Sequence, residues 1–240
     1  MLQQPLFLSR LLLDSGDRAA RADLADCAAL HRRVMSAFLD IEDRVDARAT
    51  MGILHRIDTD SRTGQISLLV QSGVAPDWSR LPNGYLTTGS DGVVNPASKR
   101  IEGAYAQIEL GARLRFRLRA NPTRKIDTKS GPDGARRNGR RVELTHELHQ
   151  LEWLKRQGDH GGFSPVAGGD PLSSALVSPA GKAAGRRPGA PAITLAGVVF
   201  EGALQVTDVE RFHRALRAGV GPGKAFGFGL LTVAPLSRGG

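Results

Sequence analysis

Apolar and polar positions divide this chain into short segments of two different periods. LFLSRLLL (6–13) is an almost continuous apolar run of strand length, and the DSGD behind it offers helix-capping groups. From residue 17 to about 42 the period changes. Leu24, Cys27, Leu30, Val34, Phe38 and Ile41 step by three or four and lay down one apolar seam of a helix. Asp26 within it has the chemistry to cap a restart, which puts His31 in the second turn of the restarted segment. MGILHRID (51–58) and QISLLVQS (65–72), joined by TDSRTG, predict a hairpin. The stretch 73–105 is turn-rich and predicts no clear element.

The second half runs through a similar order. RLRFRLRA (113–120) alternates Arg113, Arg115, Arg117 and Arg119 with Leu114, Phe116 and Leu118, so one strand face is apolar and the other arginine. A Gly-, Arg- and Lys-rich loop is expected over 123–141. A helix follows at about 144–157, with Leu148, Leu151 and Leu154 as its buried stripe. PAGKAAGRRPGAP (179–191) reads as a basic hairpin tip or loop, and AITLAGVVFEGALQVTD as one long or bulged strand. Thr207 and Glu210 have capping-box spacing ahead of a helix that turns Val209, Phe212 and Leu216 to the core and stops at Gly219. AFGFGLLTVA reads as the closing strand. Two successive β-α-β-β-α-β units fit this order, an α+β chain divided into residues 1–105 and 106–240, although the second helix of the first unit has no clear candidate.

Charge narrows the function. The 33 Lys+Arg against 24 Asp+Glu leave +9 on a chain of ordinary apolar content. Arginine supplies most of the excess and favours bidentate phosphate contacts, so a polyanionic partner, nucleic acid above all, is expected. Cys27 is the only cysteine, which excludes an intrachain disulfide and a cysteine-based zinc cluster. His146 and His149 in HELH share a helix face, but no third ligand and no HExxH accompany them, so no metal is expected. The apolar N-terminus is broken by Arg10 and Asp14 well short of a membrane span and lacks a secretory pattern. A soluble, cytoplasmic protein without a membrane partner is the expectation.

The most unusual stretch is GVGPGKAFGFGLLTVAP (219–235). GVGPGKA falls one residue short of the phosphate-gripping GxxxxGK[ST] loop, and Ala225 stands where that loop needs a hydroxyl. The order is also reversed, helix before and strand after. A nucleotide cofactor is therefore not expected. Two readings remain. The glycines make a tight helix-to-strand connection with Phe226 and Phe228 in the core, or their backbone N–H groups approach a phosphodiester beside Lys224.

GVGPGKAFGFG together with LSRLLLD, RADLADCAALHRRVMSAF, DWSRLPNGY, LRFRLRANPTRK and VVFEGALQVTD resembles the RAMP superfamily of CRISPR proteins. Within it, the chain is similar to the CasE family, the repeat-cleaving endoribonucleases of the type I-E Cascade complex. The resemblance spans almost the whole chain. It implies two tandem ferredoxin-like (RRM/RAMP-like) domains with RNA across a basic surface. It also implies metal-independent cleavage of precursor CRISPR RNA at the base of the repeat hairpin. The 2′-OH attacks the adjacent phosphodiester, leaving a 2′,3′-cyclic phosphate and a 5′-OH, and the mature crRNA is retained with the other Cascade subunits.

The resemblance assigns roles residue by residue. The family's catalytic histidine lies in a motif like LHR on the first helix, which is His31, with Arg32 beside it acting on phosphate. An imidazole, whose ordinary pKa is near neutrality, suits proton transfer at a 2′-OH or a leaving 5′-oxygen, whereas without the resemblance His31 reads more readily as an ordinary surface or helix-boundary residue. Gly221, Gly223 and Lys224 are expected against the RNA backbone. Lys182, Arg186 and Arg187 stand in place of a basic hairpin used against the RNA stem. Arg33, next to Arg32, is a further candidate for stabilising the phosphate's charge, and Arg115, Arg117 and Arg119 are further RNA-binding candidates, because like charges on one sheet face repel unless an anion covers them. Ala28 is a departure, since some family members carry a tyrosine there. The alternatives are a non-catalytic RAMP-type RNA-binding scaffold and a general basic RNA-binding protein.

Overall fold

The computed structural model describes residues 4–38, 47–88, 94–126, 140–166, 175–186, 189 and 191–236. The first half contains β1 (Phe7–Leu13), α1 (Arg18–Ala25), α2 (Cys27–Met35), α3 (Ala47–Thr50), β2 (Leu54–Thr59), β3 (Ile66–Ser72), β4 (Ala97–Arg100) and α4 (Glu102–Ala106). Its sheet runs β2-β3-β1-β4 with antiparallel neighbours, Leu11 opposite Leu68 and Phe7 opposite Arg100. The second half contains β5 (Arg113–Ala120), β6 (Thr123–Ile126), β7 (Arg140–Glu143), α5 (Glu147–Gly161), β8 (Phe163–Pro165), β9 (Leu176–Gly185), β10 (Ile193–Val206), α6 (Val209–Ala218) and β11 (Leu231–Pro235). Its sheet runs β11-β5-β10-β8, and β9 also pairs with β10. Each sheet thus puts its last strand beside its first and its hairpin on the far side, the strand order of a ferredoxin-like unit. The fold is α+β with two such units. Among the described residues no helix is long and apolar enough to cross a membrane.

Periodicity accounts for most of this. Leu30, Val34 and Phe38 bury one stripe against Leu11, Leu13, Leu68 and Val70. Ile41 of the same seam lies outside the described residues. The helix does break at Asp26, whose carboxylate accepts from the Ala28 and Ala29 N–H groups and starts α2 afresh. On β5 the alternation holds: Phe116, Leu118 and Ala120 are buried with Trp153, Phe200 and Phe212. The β10 strand shifts register between Ala196 and Val198, the expected bulge.

Several expectations need correction. Leu148 is 76% exposed, and the buried stripe of α5 is Gln150, Trp153 and Leu154 with Gly158 and Gly161. Phe163 folds back so tightly that a Cβ on Gly158 would lie 2.3 Å from the Phe163 carbonyl oxygen, so glycines replace the leucines of a simple stripe. The ends of the expected loop over 123–141 are strands, β6 and β7, which pair with each other. The N-cap of α6 is Asp208, which accepts from the Arg211 N–H, and not Thr207. Most of 179–191 is not a tip, because β9 runs to Gly185 in ladder with β10. The closing strand begins only at Leu231: Gly227 and Gly229 have φ of 83° and 85°, far from the extended backbone of a regular strand. Between β3 and β4 only a 3₁₀ turn at Trp78–Arg80 appears among the described residues, where a regular unit would carry its second helix.

The units meet along a seam with two characters. At one end Leu6, Ile101 and Tyr105 from the first half are buried in the core of the second, and the Tyr105 carbonyl oxygen lies 2.8 Å from His213 Nε2. At the other end Arg56 on β2, only 2% exposed, donates through Nη1 to the carbonyls of Arg117 and Leu230 and to Thr232 Oγ1. Its Nε and Nη2 are held by Asp58 at 3.0 Å. Nearby, Gln71 Nε2 donates to the Leu216 carbonyl at 2.8 Å.

Candidate nucleic-acid cleavage site

The polar end of the seam opens into a cleft of about 670 Å³ between the units, lined among others by Asp58, Arg117, Arg119, Lys182, Phe226 and Gly227. The helix α2 forms part of its wall through Cys27 and Leu30 and packs on the 3₁₀ turn Lys224–Phe226 of the glycine-rich loop. His31 follows Leu30 and is half-buried. Its imidazole stands nearly parallel to that of His55 on β2, 20° between planes and 6.4 Å between centroids. The helix that bears His31, the glycine-rich loop and the seam strand β2 therefore converge, although His31 and Lys224 are 193 positions apart (224 − 31).

The loop owes its path to glycines used in two ways. Gly221 (φ 78°) lies over Trp153, where a Cβ would come within 2.7 Å of the indole, and Gly223 abuts Phe228. Of these two expected RNA contacts, Gly221 thus packs on the core of the second unit and Gly223 on a small cluster of Phe228, Cys27 and Ala183. The Val220 N–H donates to the Gly229 carbonyl and the Gly229 N–H to that of Arg119, closing the loop and tying it to β5. Phe228 is fully buried and Phe226 only partly, so the two rings do not share an open sheet face. Lys224 is half-buried, and desolvation, helped by Arg48, lowers its pKa from the ordinary lysine value.

The arginine face of β5 divides. Arg113 and Arg115 are exposed. Arg117 is paired with Asp58 at 3.1 Å and with Glu201, so the protein's own carboxylates cover it. Arg119 is largely enclosed: its guanidinium lies over the Phe228 ring at 4.8 Å, its Nη2 donates to the Ala180 carbonyl, and burial lowers its pKa without discharging it. Arg33 also has an internal partner, Asp23 at 2.7 Å, while its guanidinium sits 5.4 Å from the Tyr85 ring centre. Arg32 is exposed beside His31. The sequence does not reveal these carboxylate partners, which come from other strands and helices.

The basic segment of β9 lies against the same helix. Lys182 lines the cleft, and the Arg186 N–H donates to Asp26 Oδ2 at 3.3 Å. A Cβ on Gly185 would lie 2.8 Å from Asp26 Oδ1 and Cys27 Sγ, so the strand end presses on the first turn of α2. Hydrogen bonds from Ala29 and Ala28, with a further one from Arg186, hold the Asp26 carboxyl below the usual range against the effect of burial. Arg187 lies outside the described residues. His146 and His149 meet edge to face at 5.8 Å, and among the described residues no group of three metal-binding side chains occurs.

His55 has no local sequence signature, and the site cannot be understood without it. It is 1% exposed, and burial, reinforced by His31, Arg119 and Arg48, lowers its pKa to about 3, so it is neutral at any working pH. Together the groups offer one partly exposed imidazole, one neutral imidazole behind it, and cations at a cleft mouth. Such a set can move a proton and stabilise charge on a phosphate.

The family described as CRISPR associated protein matches the chain over residues 6–235. The CRISPR-associated endoribonuclease Cse3 of Thermus thermophilus is 34% identical over 96% of this chain and 100% of its own length. The CRISPR system Cascade subunit CasE of Escherichia coli is 28% identical over the same shares. A solved Thermus thermophilus Cse3 structure, bound to an RNA representing a pre-cleavage complex, superposes with a TM-score of 0.72 at 33% identity, covering 96% of this chain and 100% of that one.

Proposed function

The chain belongs to the CRISPR-associated protein family, and we propose that it is an endoribonuclease that cuts precursor CRISPR RNA at the base of the repeat hairpin. It then holds the matured crRNA as a Cascade subunit, in the cytoplasm. The observation that carries the reading is the meeting of the helix that bears His31 with the glycine-rich loop beside a cation-lined cleft. Residues 1–105 bring the helix that bears His31, and residues 106–240 bring the loop and the basic strand.

In this reaction the 2′-oxygen forms a bond to the adjacent phosphorus as its proton leaves, and the P–O5′ bond breaks as the 5′-oxygen takes a proton. His31 is the group that accepts the first proton or supplies the second. Arg32, exposed next to it, and Lys224 on the loop stabilise the charge on the phosphorane oxygens. Lys182, Arg186, Arg187 and Arg115 follow the stem phosphates, with Gly221 and Gly223 letting the loop backbone come close. Arg33, Arg117 and Arg119 act mainly through internal partners, Arg33 and Arg117 holding carboxylates and Arg119 shaping the cleft wall. None of these steps is routed through a metal or nucleotide.

The test uses the purified chain and an end-labelled repeat hairpin from the adjoining CRISPR locus, in EDTA. One cut at the stem base with a 2′,3′-cyclic phosphate is expected, and His31→Ala lowers its rate about 10²- to 10⁴-fold with near-normal RNA affinity. Scission by His31→Ala at the wild-type rate removes His31 from the mechanism. Tight binding without scission by wild type establishes the RNA-binding scaffold instead.

A further inference from the structure

Position 55 lies next to Leu54 on β2 and opposite Val70 on β3, two fully buried aliphatic neighbours. A histidine there is out of keeping with its surroundings. Its Nε2 is buried and has no hydrogen-bond partner among the described residues. An imidazole in that state forgoes hydration without recovering it, so a leucine would stabilise the fold better. A buried polar atom of this kind needs another account.

Its neighbours supply one. The ring faces His31 at 6.4 Å. Gly227 passes over its edge: a Cβ on Gly227 would stand 3.6 Å from His55 Nε2 and 3.7 Å from Arg119 Nη1. The bare ring nitrogen and the guanidinium therefore face one point at the glycine-rich loop, and Gly227 itself lines the cleft. Ala28, one turn before His31 on α2, offers that helix only a buried methyl group. The charged and titratable groups around His55 are His31 on α2, Arg48 on α3 and Arg119 on β5, with Lys224 on the loop beside Arg48. Burial first, and then His31, Arg119 and Arg48, keep His55 uncharged, so it acts as a neutral hydrogen-bonding group.

We propose that His55 is a positioning residue for the cleavage reaction, its buried Nε2 serving as the hydrogen-bonding group that orients His31 and the Gly227 segment when RNA fills the cleft. The inference rests on the role given to His31 above. Tautomer choice lets Nε2 donate or accept.

The test compares wild type, His31→Ala, His55→Leu and His55→Gln, using the repeat hairpin for single-turnover cleavage across pH 6–9 and a 2′-deoxy version for binding. His55→Leu is expected to fold, to bind the uncleavable RNA within about twofold of wild type, and to cut about 10- to 100-fold more slowly, less than the loss expected for the proton-transfer group itself. Its pH–rate profile is displaced from that of wild type. His55→Gln, which keeps a polar atom near Nε2, recovers part of the rate. Wild-type rate and profile in His55→Leu, or no recovery in His55→Gln, would overturn the proposal while a dead His31→Ala leaves the endoribonuclease reading standing. Undiminished cleavage by His31→Ala overturns both.

Discussion

Where the two units meet, one end of the seam is closed mainly by hydrocarbon, with a single Tyr105–His213 hydrogen bond, and the other by a network of hydrogen bonds and ion pairs. Leu6, Ile101 and Tyr105 give the first end buried area, which resists separation but sets direction only loosely. Arg56 and Asp58 give the second end fixed donor–acceptor geometry, reaching the Arg117 and Leu230 carbonyls. The candidate site lies at the second end. A cleft that must hold an imidazole, a loop and a phosphate in register gains more from directional bonds than from area.

The contrast can be broken at either end. Arg56→Met takes one of two cations from Asp58, which keeps Arg117, and strips a donor from three acceptors in the seam, so it is expected to cost about 2–4 kcal/mol in urea unfolding and to slow cleavage as well. Ile101→Ala at the apolar end is expected to cost roughly 2–4 kcal/mol while leaving the cleavage rate of the folded protein near wild type. Equal effects of the two on cleavage would remove the distinction between the ends. A smaller effect sharpens it. His55 has a folded pKa of about 3 against an unfolded value of 6.5, so the unfolded chain binds more protons below pH 6.5. Its stabilising neutrality is therefore complete above 6.5 and lost progressively as pH falls toward 3. Between pH 6.5 and 5, His55→Leu should flatten the decline in wild-type stability by at most about 1.4 kcal/mol per pH unit, measured by urea midpoints.

The unit architecture was legible where one period ruled a segment. The α2 seam, the β5 alternation and the restart at Asp26 needed only local spacing and capping chemistry. What escaped depended on distant partners. In the Phe–Gly alternation of 225–229 the period is that of a strand, but left-handed Gly227 and Gly229, set against His55 and Arg119 and against Val220, bend it into a loop. The β4 strand has little apolar signal because it is a largely exposed edge whose pairing with β1 is made by backbone. Within the site, His31 and Lys224 stood out through the motifs around them. His55, set in an ordinary strand, did not, and the partners that cover Arg33 and Arg117 have no trace in the spacing of those arginines.

The burial of Leu6, Ile101 and Tyr105 in the neighbouring core also bears on how this chain can be divided. A fragment holding only the second half would expose the sites these three side chains fill, and one holding only the first would carry them into water. The repeat of ferredoxin-like topology does not, then, make two modules that can be exchanged or expressed separately. The heritable part is the pair.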